Sequence, residues 1–256
     1  MHIDLIAGPD GRLEVRVAGR GTTLVMIASL GRSADDFDEL AELVAAVGYR
    51  VVAPEPRGIR GSEPGPDDVD LRGLSDDVAA VIAHYGGPAF VLGHAFGNRV
   101  ARMVATRHPT LVAGVILLGC GGAILPEPVD GRALIDVFDE SLDAERHLEA
   151  VRRAFFAPGN DPAPWRDGWH PAVAQMQGRS MTDIDPDVWW RSGDARVLVV
   201  QAANDVIAPP ANGEKLIGDL GNRGELRMLG GAGHAMLPEQ PVQLAEMITD
   251  WLRRHG

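Results

Sequence analysis

The chain has 256 residues, 45% hydrophobic and 23% charged, a globular composition long enough to hold a core without disulfides or metals. Its 36 acidic side chains outnumber 24 basic ones, and the resulting charge of −12 speaks against nucleic acid or an anionic membrane as a partner. The single cysteine, Cys120, excludes an internal disulfide and any multi-cysteine metal site.

The N-terminus, Met1-His2-Ile3-Asp4, lacks the basic start and apolar run of a signal peptide. No stretch reaches the ~18 apolar residues of a membrane span, so a cytoplasmic location is expected. His2 to Ala7 and Leu13 to Ala18, joined by Gly8-Pro9-Asp10-Gly11, read as a hairpin. Thr23 to Ala28 is nearly continuously apolar, as a strand buried on both faces must be. A helix follows over Ala34 to Val47, closed by Gly48, and Val51-Val52-Ala53 is the next strand. Ser75 reads as the N-cap of a helix whose Val78, Val81, Ile82 and Tyr85 share one face. Ala89 to Leu92 and Val115 to Leu118 are further buried strands, with a helix over Phe96 to His108 between them. Strand alternating with helix at this spacing predicts an α/β fold with a mostly parallel, doubly wound sheet.

From about residue 121 to 193 that rhythm breaks into a proline-rich segment holding Trp165, Trp169, Trp189 and Trp190, with one amphipathic helix expected from Arg132 to Phe156. The alternation resumes with Val197 to Val200, a helix near Asn212 to Leu220, a short strand over Leu226 to Leu229 and a helix from Pro241 to Arg254. The expected organisation is a core of residues 1–121 and 194–256 interrupted by a helical cap insertion of residues 122–193.

Leu92-Gly93-His94-Ala95-Phe96-Gly97-Asn98 leaves a buried strand and opens a helix, with glycines two residues to either side of the centre. That pattern suits a sharp strand-to-helix turn around a strained residue. It resembles the nucleophile elbow, Gly-x-Ser-x-Gly, of the α/β-hydrolases, with Ala95 where the motif has serine. The similarity spans nearly the whole chain. Asp205, after Val199 to Asn204, matches the acid of the family's catalytic triad. His234, closing Gly230-Gly231-Ala232-Gly233, matches its histidine. The order elbow, Asp, His is that of the family, with 110 residues from Ala95 to Asp205 and 29 more to His234. Glu55 to Ser62 resembles the family's D-x-R-G-x-G-x-S turn, with Glu55 replacing the aspartate. Ala28-Ser29-Leu30-Gly31 stands where the family carries His-Gly-x-Gly, so the backbone amides of Leu30 and Phe96 are the expected oxyanion hole. Within this frame His94 is read as packing behind the strand, Ser29 as a loop hydroxyl, Cys120 as core filling and His108 as a helix-end cap.

The resemblance implies a cofactor-independent hydrolase of carboxylic esters or lactones. Its substrate is expected to be small, uncharged and partly apolar, walled by Trp165, Trp169, Trp189 and Trp190, with no metal and a monomer or homodimer as the assembly. Arginines 152, 153, 179 and 191 would instead mark an anionic substrate if they faced the site. A methyl group cannot attack a carbonyl, so three accounts of Ala95 stay open. A serine has been exchanged for alanine and the chain is inactive; or a serine-less enzyme lets His234 and Asp205 act on water or substrate; or the chain is a small-molecule binding protein.

Overall fold

The computed structural model describes residues 1–256. Eight strands form one sheet: β1 (His2–Gly8), β2 (Gly11–Gly19), β3 (Thr22–Ile27), β4 (Tyr49–Pro54), β5 (Ala89–His94), β6 (Val112–Leu118), β7 (Val197–Ala202) and β8 (Gly224–Leu229). Their spatial order is β1-β2-β4-β3-β5-β6-β7-β8, parallel from β4 through β8, with β1 and β2 added antiparallel at one edge.

The helices between them are α1 (Asp38–Ala46), α2 (Leu71–His84), α3 (Gly97–Arg107), α4 (Pro128–Asp136), α5 (Ala144–Phe155), α6 (Pro171–Arg179), α7 (Ala211–Leu220), the single turn α8 (Met236–Glu239) and α9 (Pro241–His255). The apolar strands are buried on both sides because successive side chains point to opposite faces. Val25 and Ile27 of β3 join a cluster of 29 buried residues with α2, α3 and α7, whereas Leu24 and Met26 join one of 26 with α1 and α9. Two clusters of similar size, one per face, are what makes the sheet doubly wound.

Two helix expectations are corrected. Asp70, not Ser75, caps α2: its carboxylate accepts from the amides of Arg72 and Gly73, while Ser75 sits inside the helix and donates to the Arg72 carbonyl. The stretch from Arg132 to Phe156 is two helices. Asp139 accepts from the amide and hydroxyl of Ser141, and Asp143 accepts from the Arg146 amide at 2.9 Å, so side-chain acceptors end one helix and start the next.

Strand order reverses between β3 and β5, since the chain leaves β3 for β4 on one side and returns to β5 on the other. In open α/β sheets the crevice beyond the C-terminal ends of such a pair is where ligands bind. Here the loop after β3 carries Ser29 and Leu30, and the turn after β5 carries Ala95. The helices α4, α5 and α6 all lie between β6 and β7; α4 and α5 share a small apolar cluster built on Val137, Val151, Phe155 and Trp165. No helix is long and apolar enough to cross a membrane.

Candidate active site

The elbow is set by close approach. A Cβ on Gly93 would lie 2.2 Å from the Gly97 carbonyl oxygen, and one on Gly97 would lie 2.3 Å from the Ile27 carbonyl oxygen. Only glycine fits at either position. Between them Ala95 is held at φ 50°, and its amide donates to the Leu118 carbonyl at 3.0 Å. Asn98 fixes the start of α3 by donating to the carbonyls of Leu118 and Gly119 at 3.0 and 3.2 Å.

Asp205 and His234 arrive from the ends of β7 and β8 and meet. His234 Nδ1 lies 2.8 Å from Asp205 Oδ2, and both side chains are buried. The other carboxylate oxygen, Oδ1, accepts from the amides of Ile207 and Ala208 at 3.0 and 2.7 Å. With its acceptors filled, the carboxylate holds the imidazole as the Nδ1–H tautomer and leaves Nε2 as the basic nitrogen. Gln201 organises the loop carrying the aspartate: its side-chain amide donates to the carbonyls of Cys120 and Ala208, and its oxygen accepts from the Cys120 amide. Glu239 accepts from the Gly233 amide at 2.7 Å and from the Ala157 amide at 2.8 Å, so the histidine loop and the end of α5 share one carboxylate.

Ala95 and His234 line the same cavity of about 300 Å³, together with Ser29, Leu30 and Phe96. The Leu30 and Phe96 amides donate to no protein acceptor. Leu30's loop is held from the inserted helices: the neighbouring Gly31 amide donates to Gln177 Oε1 at 2.7 Å, and the His170 amide donates to the Gly31 carbonyl at 2.9 Å. The Ser29 hydroxyl makes no hydrogen bond in the protein. Such an arrangement presents a proton acceptor and two free amide donors to one small volume, which is what acyl transfer requires.

His94 lies beneath this site. Fully buried, its Nε2–H donates to the His234 carbonyl at 2.9 Å, and burial pulls its pKa down to about 3, so the ring stays neutral. Cys120 is buried, and burial pushes its thiol pKa up. His108 caps α3 and contacts Asp76 at 2.6 Å. Glu55, buried at the turn after β4, accepts from the Ser33 hydroxyl and the Ala34 amide, a structural role.

Of the four tryptophans expected to wall the cavity, only Trp169 does. Trp165 is buried under the Arg32 guanidinium, 4.9 Å from its ring, and against Phe155 and Phe156. Trp189 and Trp190 cover the buried Arg102 guanidinium at 5.5 and 4.8 Å, and the Trp190 indole donates to Asp219. Cation–π contact with arginines, rather than a ligand, accounts for these three rings. Arg152 and Arg153 are paired with Glu149 and Asp130, and neither they nor Arg179 and Arg191 reach the cavity. Two residues that the sequence reading passed over are Gln177 and Arg99. Gln177 lies 146 residues from the Gly31 amide it accepts from, a separation that leaves no local signal. Arg99 lines the cavity four residues after Ala95, a spacing of one helical turn that does carry one.

A doubly wound sheet with an elbow after β5, an aspartate after β7 and a histidine after β8 is the architecture of an α/β-hydrolase. Residues 24–247 match the model of the alpha/beta hydrolase family, and the chain belongs to that family. It is 29% identical over 244 residues to a non-heme haloperoxidase of Rhodococcus erythropolis, covering 85% of this chain and 87% of that one. A pyrethroid hydrolase of Sphingobium wenxiniae is 29% identical over 254 residues, 90% of this chain and 87% of its own. Among solved structures, an esterase from Exiguobacterium antarcticum superposes with a TM-score of 0.81 at 19% identity, over 97% of this chain and 98% of that one.

Proposed function

We propose that this cavity is a hydrolytic centre for carboxylic esters or lactones, with Asp205 and His234 as the acid–base pair and residues 122–193 as its cap. The observation that carries the reading is the 2.8 Å contact between His234 Nδ1 and Asp205 Oδ2 beside an elbow held open by two glycines. The esterase and hydrolase names of related proteins agree with it. In the serine form of such a site, His234 Nε2 takes the hydroxyl proton, the oxygen adds to the substrate carbonyl, and the oxyanion is held by the Leu30 and Phe96 amides. The imidazolium then protonates the leaving oxygen. With Ala95 at the elbow this acyl-enzyme route is closed, a loss on the order of 10⁶-fold by comparison with subtilisin-type dissections.

The intact Asp205–His234 contact favours a second route over loss of chemistry. His234 takes a proton from a water that adds directly to the carbonyl, the same two amides hold the oxyanion, and the imidazolium returns its proton to the leaving oxygen.

A paired turnover assay of the chain, Ala95→Ser and His234→Ala on aryl esters and lactones separates these routes. Gain of several orders of magnitude in Ala95→Ser over a silent Ala95 form identifies a serine hydrolase lacking only its nucleophile. His234-dependent turnover by the Ala95 form identifies the water route. Tight ligand binding with no turnover from either form overturns the hydrolytic reading in favour of a binding protein.

A further inference from the structure

Arg99 stands on the first turn of α3 and faces the cavity shared by Ala95 and His234. It has no hydrogen-bond or ion-pair partner in the protein. Every other arginine that is not exposed is engaged by a carboxylate, a carbonyl or, for Arg102, the Cys120 sulfur at 2.6 Å. Arg102, one turn further along the same helix, is fully buried under Trp189 and Trp190 and lies outside the cavity, so Arg99 is the arginine that faces it. No acidic side chain lines the cavity. Arg99 therefore places an uncompensated positive charge at the wall of an otherwise mostly apolar space, in a chain whose net charge is −12. A cation drawn out of bulk water and left unpaired is costly unless a ligand completes it. The planar fork of Arg99 matches a carboxylate.

We infer that Arg99 receives a carboxylate carried on the acyl part of the substrate, so that the site takes half-esters of dicarboxylic acids in preference to neutral esters. This rests on the hydrolytic reading and replaces the expectation of an uncharged substrate. The polarity follows from the chemistry. His234 must face the leaving oxygen to protonate it, so the alcohol side occupies the His234 end and the acyl chain runs along α3 toward Arg99.

The test has a binding arm and a turnover arm. Calorimetry on the chain as it stands compares monomethyl half-esters from succinate to adipate with the corresponding dimethyl esters, for the parent, Arg99→Met and Arg99→Lys. At least one half-ester should bind more tightly than its diester by on the order of 10- to 100-fold. Arg99→Met should abolish that preference without weakening the diester, and Arg99→Lys should keep part of it. Because Arg99 bonds to nothing in the protein, Arg99→Met should melt no lower than the parent, whereas a structural role would lower it. The inference is overturned if every half-ester binds no better than its diester, or if the preference survives Arg99→Met. In the turnover arm, p-nitrophenyl half-esters are offered to Ala95→Ser with and without Arg99→Met. Half-ester binding that depends on Arg99 while Ala95→Ser turns over nothing leaves the arginine's role standing and removes the hydrolytic reading.

Discussion

His94 places a titratable ring where a proton cannot follow. In the unfolded chain the imidazole takes up a proton near pH 6.5, whereas the folded protein refuses it until about pH 3. A depressed histidine pKa contributes stability in full above the unfolded value and loses it as pH falls from there toward the folded value. By pH 5 the loss amounts to about 2 kcal/mol. Asp36, Glu55 and Asp77, whose pKa values burial raises, act in the opposite direction, but they are common to parent and variant and cancel in the difference. Urea unfolding of the parent and His94→Gln at pH 7 and pH 5 should show a smaller acid loss in the variant. Equal losses would remove His94 from the account. The same ring ties the elbow to the backbone of His234, so the residue is structural in both senses. At this scale the sequence exposed those groups whose chemistry demands a motif: two glycines around position 95, an aspartate after one strand, a histidine after the next. Arg99 is signalled there only by its one-turn spacing from position 95, because a charged residue on an amphipathic helix otherwise has the pattern of a solvated face.

The elbow is a strand, a turn and a helix whose junction forces a non-glycine residue to positive φ. Such a conformation costs roughly 1–3 kcal/mol, retained where the surroundings over-determine it. The closeness of Gly93 and Gly97 to carbonyl oxygens supplies that over-determination. Ala95→Gly should therefore stabilise the protein by about 1 kcal/mol, read from the denaturant midpoint at unchanged slope, with the loss of backbone freedom offsetting part of the relief. A destabilised glycine variant would mean that the turn carries no strain. Elements with a strong apolar period were readable throughout: the parallel strands alternate between the two clusters, residue by residue, as continuous apolar runs must. The break between α4 and α5 was not, because Leu134, Phe138 and Leu142 prolong the helical spacing through Asp139 and Asp143, whose carboxylates take the amides that a continuous helix would have used. The tryptophans misled for a related reason, since sequence gives the size of a ring but not whether a ligand or an arginine lies against it.

Across the whole molecule, the site is assembled from strands that do not all share the same protection. The elbow hangs from β5, with β3 and β6 on either side, and its glycines lock it against the start of α3 and the end of β3. His234 hangs five residues beyond β8, the last strand of the sheet, which has only β7 for a neighbour and whose residues are mostly half-buried. Edge strands open at lower cost than central ones. On warming, the two halves of the site should therefore part company in sequence: the β8 edge loosens, His234 leaves Asp205, and the rest of the sheet remains standing. Hydrogen exchange should be faster at the β8 amides than at those of β5 by at least tenfold, and the Ala95→Ser form should lose turnover several degrees below the temperature at which its circular dichroism collapses. Coincident midpoints would show that the edge is as firm as the centre. A histidine mounted on the margin of the sheet would act as a fuse for the proposed chemistry, parting from Asp205 before heat reaches the fold itself.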